Sequence, residues 1–447
     1  MKTDSVKETE AVFANPSERE DDSMRRLRYY IGILALGTML FAACGSNQNP
    51  PLPTEAPQSS EEQDATVTPE PTAIPKPTEK PTPTPMGTNL PEGINLLNTY
   101  GETFGKIGVA ISARDFSDPK AIELIKENYN SITMGNEMKP DAILDNSVMY
   151  TVDEAKALGY VIPENYKEAT VPKLNFYHTD RALEFCVENN LGLRGHTLVW
   201  HEQTPNWFFK EGYTLSGETV SPEVMDARLE FYIRSVMGHV CESENGHVLY
   251  SWDVVNEYVH ANSAGWKEVY GNESLTPGYV KLAFRVADEV LRQYEIRDKV
   301  SLVYNDFNTY SEAKSILTLL EFVNADGKIC DTVGMQSHLT ANNPPVIKFK
   351  LTVEDFLEAG YSVQMTELDI GNSNPLTQAT YAYSLMKALL ELKQAGGDIQ
   401  GITYWGLSDV TSWRKTEKPL LFTTITTPKL GYYKVLEAYV DMGLYEE

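Results

Sequence analysis

The sequence predicts an α/β chain folded as a (β/α)8 barrel, a single domain placed after an unfolded N-terminal tether. Three observations carry this. From residue 106 onward, short β-rich apolar runs alternate with stretches bearing apolar residues at i, i+3 and i+4, the signature of strands separated by amphipathic helices. The strand runs are near-continuously apolar, as in a parallel sheet covered on its outside. Two glutamates, Glu257 and Glu367, end two of these runs 110 residues apart. A barrel uses about 250 residues for eight units, so this separation fits three βα units and places the pair on the fourth and seventh strands.

Taken in order, the first strand is KIGVAIS (106–112), rich in β-branched residues, and AIELIKENY (121–129) follows as a helix. NSITMGN (130–136) is the second strand. Residues 141–177, with Gly159, Pro163, Pro172 and several tyrosines, read as a loop insertion on the face that carries the strand ends. LGLRGHTLVW (191–200) is the third strand and DARLEFYIRSVMGHV (226–240) its helix. LYSWDVVNE (249–257) is the fourth, followed by the helix KLAFRVADEVLRQY (281–294). The remaining strands are KVSLVYNDF (299–307), TVGMQSH (332–338), YSVQMTELDI (361–370) and GITYWGL (401–407). YAYSLMKALLELKQ (381–394) and YYKVLEAYVDM (432–442) supply the last helices. Eight repeats close a barrel, and the polar residues of interest fall at the C-terminal ends of the strands, where barrel enzymes carry their sites.

The N-terminus reads as processed rather than folded. MRRLRYY (24–30) and the apolar IGILALGTMLFAA (31–43) form a secretory signal too short to span a bilayer comfortably. Residues 1–23 are polar and precede a complete signal, so Met24 is the expected start. Ala42 and Ala43 precede Cys44, and the segment resembles a bacterial lipobox despite Phe41, where leucine is preferred. That resemblance implies a lipidated Cys44 and an enzyme held on the outside of the membrane. Residues 44–90 are mostly Pro, Thr, Ser, Glu and Gln and are expected to form an extended tether, leaving 91–447 as the folded domain.

The net charge of −25 leaves no basic stripe for nucleic acid. A neutral polymer suits this surface, and 25 Tyr with 6 Trp supply flat amphipathic rings for a sugar cleft. Cys186, Cys241 and Cys330 form neither a disulfide framework nor a metal-ligand spacing. His196 and His201 offer neither helical HExxH spacing nor a third ligand, so neither a metal nor a cofactor is expected. A monomer is expected.

Two carboxylates delivered from two strand ends are what glycosidic cleavage requires, one to protonate the leaving oxygen and one to act as nucleophile or base. Asn256 beside Glu257 suits an amide that holds a sugar hydroxyl while the acid works. The period of two puts Glu367 and Asp369 on one side of strand seven, and Gln336 and His338 on one side of strand six. A histidine–carboxylate network there would keep Glu367 ionised while Glu257 stays protonated. His196 and Trp200 fall on one side of strand three, with His201 facing away.

Seven strings in order, GNEMKP (135–140), GHTLVWH (195–201), WDVVNE (252–257), YNDFN (304–308), QSH (336–338), TELD (366–369) and YWGLSD…SW (404–413), are each found at a different strand end. From about residue 95 to 445 the chain resembles the retaining endo-β-1,4-xylanases of glycoside hydrolase family 10. The resemblance implies a TIM-barrel fold, xylan and xylo-oligosaccharides as substrates, Glu257 as acid/base and Glu367 as nucleophile about 5 to 5.5 Å apart. It further implies sugar contacts from Asn136, Lys139, His196, Trp200, Asn256, Gln336, His338, Trp405 and Trp413. Asp369, Tyr304 and Asn305 are implied as supports. Where the family places a glutamate, Gly135 stands here, so one sugar contact is expected to be missing and short oligosaccharides to be handled less well than long chains. The competing readings are a β-glucanase or mannanase on the same barrel, and a non-catalytic surface protein that captures polysaccharide.

Overall fold

The computed structural model describes residues 90–261 and 264–445. The expected extension at 1–23, signal at 24–43, Cys44 and all of the tether but Leu90 lie outside the described residues. Leu90 itself is half-buried against the core, so the packed domain starts by the residue before the expected boundary.

Eight parallel strands form the barrel: β1 (Ile107–Ile111), β2 (Ser131–Met134), β3 (Gly192–Trp200), β4 (Leu249–Asn256), β5 (Ser301–Asp306), β6 (Thr332–Met335), β7 (Ser362–Gly371) and β8 (Ile399–Tyr404). Each pairs with the next, and β8 pairs with β1 through Ile107–Ile402 to Val109–Tyr404, which closes the sheet. Closure removes every exposed edge from these eight strands. Strands β2 and β6 stop short of their expected ends. Residues 136–139 turn away at the barrel lip, whereas Gln336 and Ser337, outside β6, still bond to Asp306, Glu367 and Asp369 of the neighbouring strands, and His338–Thr340 pairs beside the end of β7.

The outer helices start where local chemistry satisfies their free N–H groups. Pro119–Asn128 begins with Pro at its first turn, and the Asp118 carboxylate accepts from Lys120 N at 2.9 Å. Asn374 does the same for Leu376 and Thr377 at the head of Pro375–Gln394. Apolar faces of these helices and the outward residues of the strands form one core, with Trp252 at its centre and fully buried. The backbone of β3 approaches it closely because residue 195 is glycine; a Cβ there would stand 2.6 Å from the indole.

The insertion at 141–177 is not an irregular loop. Leu144–Thr151 pairs antiparallel with Thr170–Leu174, and Val152–Ala157 forms a short helix with a Thr151–Glu154 capping box. Pro172 suggested a break, yet this ribbon has only two strands, and an edge tolerates the missing N–H. Cys186, Cys241 and Cys330 are free, and burial pushes the Cys186 and Cys241 thiols up to about 12.

Candidate active site

A cleft of about 570 Å³ opens at the C-terminal ends of the strands, with Glu257 and Glu367 on its floor. Glu257, expected as the last residue of the fourth strand, falls one residue past β4, and its backbone turns into the left-handed region at φ 60°. Its N–H still donates to Asn305 O at 2.8 Å, so the ladder holds the strained residue in place. The side chain accepts from Trp200 Nε1 at 2.8 Å and from Gln336 Nε2 at 2.7 Å. Burial raises its pKa, and the negative charges of Glu367 and Asp306 add to that, against the two hydrogen bonds, which lower it. A carboxyl so placed keeps its proton to higher pH than a free one, which is what a general acid needs.

Glu367 lies within β7 and is almost wholly buried. Burial alone would raise its pKa; the charges of His196, His338 and Lys139 and a hydrogen bond from His338 outweigh that and bring it to about 2. Asn305 Nδ2 donates to its Oε1 at 2.7 Å, and His338 Nε2 lies 3.3 Å from its Oε2. Behind His338, Nδ1 is 3.1 Å from Asp369 Oδ2, and Asp369 in turn accepts from Trp413 Nε1 and Arg414 Nη1. Burial opposes the charge on His338, but Asp369 and Glu367 raise its pKa to about 9. One carboxyl is thus held ionised while the other keeps its proton to higher pH than a free glutamate, 110 residues apart in sequence and on one floor in space.

Amides link the two. Asn305 Nδ2 and Gln336 Nε2 both donate to Asn256 Oδ1, at 2.8 and 3.2 Å, which turns the Asn256 amide nitrogen into a free donor with no protein acceptor among the described residues. Above them, Lys139 Nζ lies 4.7 Å from the centre of the Trp200 ring and donates to Asn136 Oδ1 and Gln203 Oε1. Burial lowers the Lys139 pKa, and nearby carboxylates, Glu367 first, oppose this. Trp405 and Trp413 form a wall: Trp405 meets His196 edge-on at 5.3 Å, and Trp413 is 65% exposed, an aromatic face open to a ligand rather than a core residue.

All nine residues expected to touch sugar line this cleft: Asn136, Lys139, His196, Trp200, Asn256, Gln336, His338, Trp405 and Trp413 surround the two glutamates. Asn305 stands directly behind Glu367, and Asp369 supports it through His338. Tyr304 works further back, donating to Asp306 and accepting from Val259 N. His201 does not turn fully away, since its Nδ1 lies 3.9 Å from Glu257 Oε2; the strand ends at Trp200, and the period of two ends with it.

Several positions escaped the sequence reading. Arg194 and Asp253 form a buried ion pair beneath the floor, and His196 Nδ1 lies 2.8 Å from Asp253. Two charged residues inside near-continuous apolar strands were the available signal, because such groups are buried only when paired. Gln203, which orients Lys139, had no such signal. His196, Asp253 and Glu367 bring potential metal-ligand atoms within 4.8 Å of one another, but Arg194 and His196 Nδ1 already engage Asp253, and Asn305 and His338 engage Glu367, so both carboxylates are committed to protein partners.

The model of glycosyl hydrolase family 10 matches residues 95–438. An endo-1,4-β-xylanase A of Butyrivibrio fibrisolvens is 45% identical over 348 residues, 77% of this chain and 85% of that one. An endo-1,4-β-xylanase A of Thermotoga maritima is 34% identical over 74% of this chain and 30% of its own length. Among solved structures, the N-terminal modules of a Clostridium thermocellum endo-1,4-β-D-xylanase complexed with xylohexaose superimpose with a TM-score of 0.65 at 29% identity, covering 76% of this chain and 67% of that one.

Proposed function

The chain belongs to glycosyl hydrolase family 10, and from that premise we infer how its own residues divide the work of an endo-1,4-β-xylanase acting with retention of configuration. Glu367 attacks the anomeric carbon of the xylosyl unit bound over it, while Glu257 gives its proton to the departing glycosidic oxygen. Water then enters on the leaving-group side, Glu257 takes its proton, and the glycosyl–Glu367 ester is released. The observation that carries this assignment is the opposite treatment of two like groups: Glu367 is brought to about 2, and Glu257 is raised. The free amide N–H of Asn256 sits beside both and suits the 2-hydroxyl of the reacting sugar. The intact networks around both acids speak against a barrel that only captures polysaccharide.

The substrate is the xylan backbone. Proton NMR of early products from a soluble xylan tests the mechanism: β-anomeric reducing ends are expected first, and α-ends first would overturn the nucleophilic role of Glu367. For location, the arginine-rich and apolar run 24–43 followed by Cys44 supports a lipid-anchored protein on the outside of the cell membrane, with the segment after it as a tether. A monomer suits a cleft whose acids are supplied and supported by this chain's own residues.

A further inference from the structure

Among the described residues, four basic side chains line the cleft: Arg114, Lys139, His196 and His338. Three are committed. Lys139 is bonded to Asn136 and Gln203, His196 pairs with Asp253, and His338 stands between Glu367 and Asp369. Arg114, on the turn after β1, is 67% exposed. Its charged contact is Nε at 3.8 Å from Asp115 Oδ1, and Asp115 is itself held by the Ser112 N–H and hydroxyl through Oδ2. The two terminal nitrogens of its guanidinium fork therefore have no protein partner among the described residues.

Beside this turn, at the end of β2, stands Gly135, whose N–H donates to Ile111 O at 2.8 Å. Its φ lies outside the left-handed region, and a Cβ there would meet only Ile111 O, at an ordinary 3.5 Å. The backbone does not demand glycine, so what glycine provides is side-chain room at the lip. Elsewhere in the cleft the basic side chains are engaged and carboxylates such as Glu202 and the ionised Glu367 stand on the lining, which leaves Arg114 as the place for an anion despite Asp115 beside it. A xylose backbone is neutral and offers a guanidinium fork no charged partner. A carboxylate does, because the fork matches its two oxygens.

We propose that Arg114 and the open corner at Gly135 form a specificity site for an acidic branch, a hexuronic acid carried by a xylosyl unit bound in the half of the cleft built by β1, β2 and β8. This rests on the xylan reading above. An arginine at a lip is otherwise a solvated surface charge, and the two cases separate experimentally. Compare kcat/KM for three oligosaccharides of equal backbone length: unbranched, bearing one glucuronic acid, and bearing one neutral arabinose. Arg114→Gln should lower kcat/KM for the acidic substrate roughly fivefold, as for a partly exposed charge pair, and leave the other two unchanged. The preference of the parent for the acidic over the arabinose branch should shrink in about 1 M salt. Gly135→Glu, which fills the corner with a like charge, should depress the acidic substrate more than the unbranched one. Equal changes on all three substrates in Arg114→Gln, or none on the acidic one, would overturn the proposal. A parent that fails to cleave the unbranched chain would instead overturn the backbone reading itself.

Discussion

Glu257 and Glu367 differ by what surrounds them, and single substitutions separate their roles. Glu367→Gln should lose activity on every substrate, by about a thousandfold or more, because no group remains to form the glycosyl ester. Glu257→Ala should lose about a hundredfold or more on xylan yet form the glycosyl-enzyme from aryl xylosides at near-parent rates, since a good leaving group needs no proton. Burst kinetics with a series of aryl leaving groups checks this, and a uniform loss across the series would reverse the two roles. The pH profile follows from the same environments. Glu367, at about 2, is ionised across the working range, so the high-pH limb belongs to Glu257: activity falls as pH rises through its raised pKa. His338 helps to hold Glu367 ionised; its own folded-state pKa of about 9 lies above the unfolded value, so its stabilisation is complete below about pH 6.5 and disappears as pH rises through 9. His338→Asn should therefore move the acidic limb of kcat/KM upward by about one unit, a displacement that a loss of stability alone would not produce.

At the scale of elements, the site depends on how closely strands approach. A Cβ at Gly334 in β6 would stand 2.5 Å from Asn305 Oδ1 and 3.0 Å from Thr366 Cγ2. Asn305 holds both Asn256 and Glu367, so Gly334→Ala should lower kcat more than it raises KM while costing about 1 to 3 kcal/mol of stability. The ribbon inserted after β2 has its own fastening. Arg228, fully buried, donates to Glu168 and to the carbonyls of Phe208 and Lys210, and stacks on Tyr213 at 3.8 Å. Arg228→Ala leaves those acceptors unpaired and should cost about 3 to 5 kcal/mol in urea unfolding. A change near zero would mean that water replaces the guanidinium.

For the whole molecule, an enzyme with a net charge of −25 has little electrostatic attraction to an acidic polymer, so productive binding has to come from the cleft. Tethering at a membrane would keep such an enzyme close to substrate at the cell surface. Cys44→Ser should release xylanase activity from the membrane fraction into the medium, measured as the ratio of the two activities. Full release already in the parent would rule out the anchor.

The barrel was legible because each of its elements repeats a local pattern: an apolar strand, a turn, an amphipathic helix. The eight strands appear within a few residues of the runs that suggested them, and Glu257 and Glu367 could be picked out because a carboxylate just past or inside an apolar strand has no structural reason to be there, although Glu367 lies within β7 rather than at its end. The ribbon at 144–174 was hidden by Pro172, whose cost depends on whether a strand has neighbours on both sides, and sequence does not state that. Nor does it state how far a side chain reaches once a strand has ended, which is why His201 was read as facing away and Gln203 was not read at all. The sequence by itself determined the chemistry available: which acids, amides and rings stand at the strand ends. Only the tertiary structure decided which of the two acids holds its proton to higher pH, because that depends on desolvation and on charges such as His338, Asp306 and Lys139, brought together by closure of the barrel.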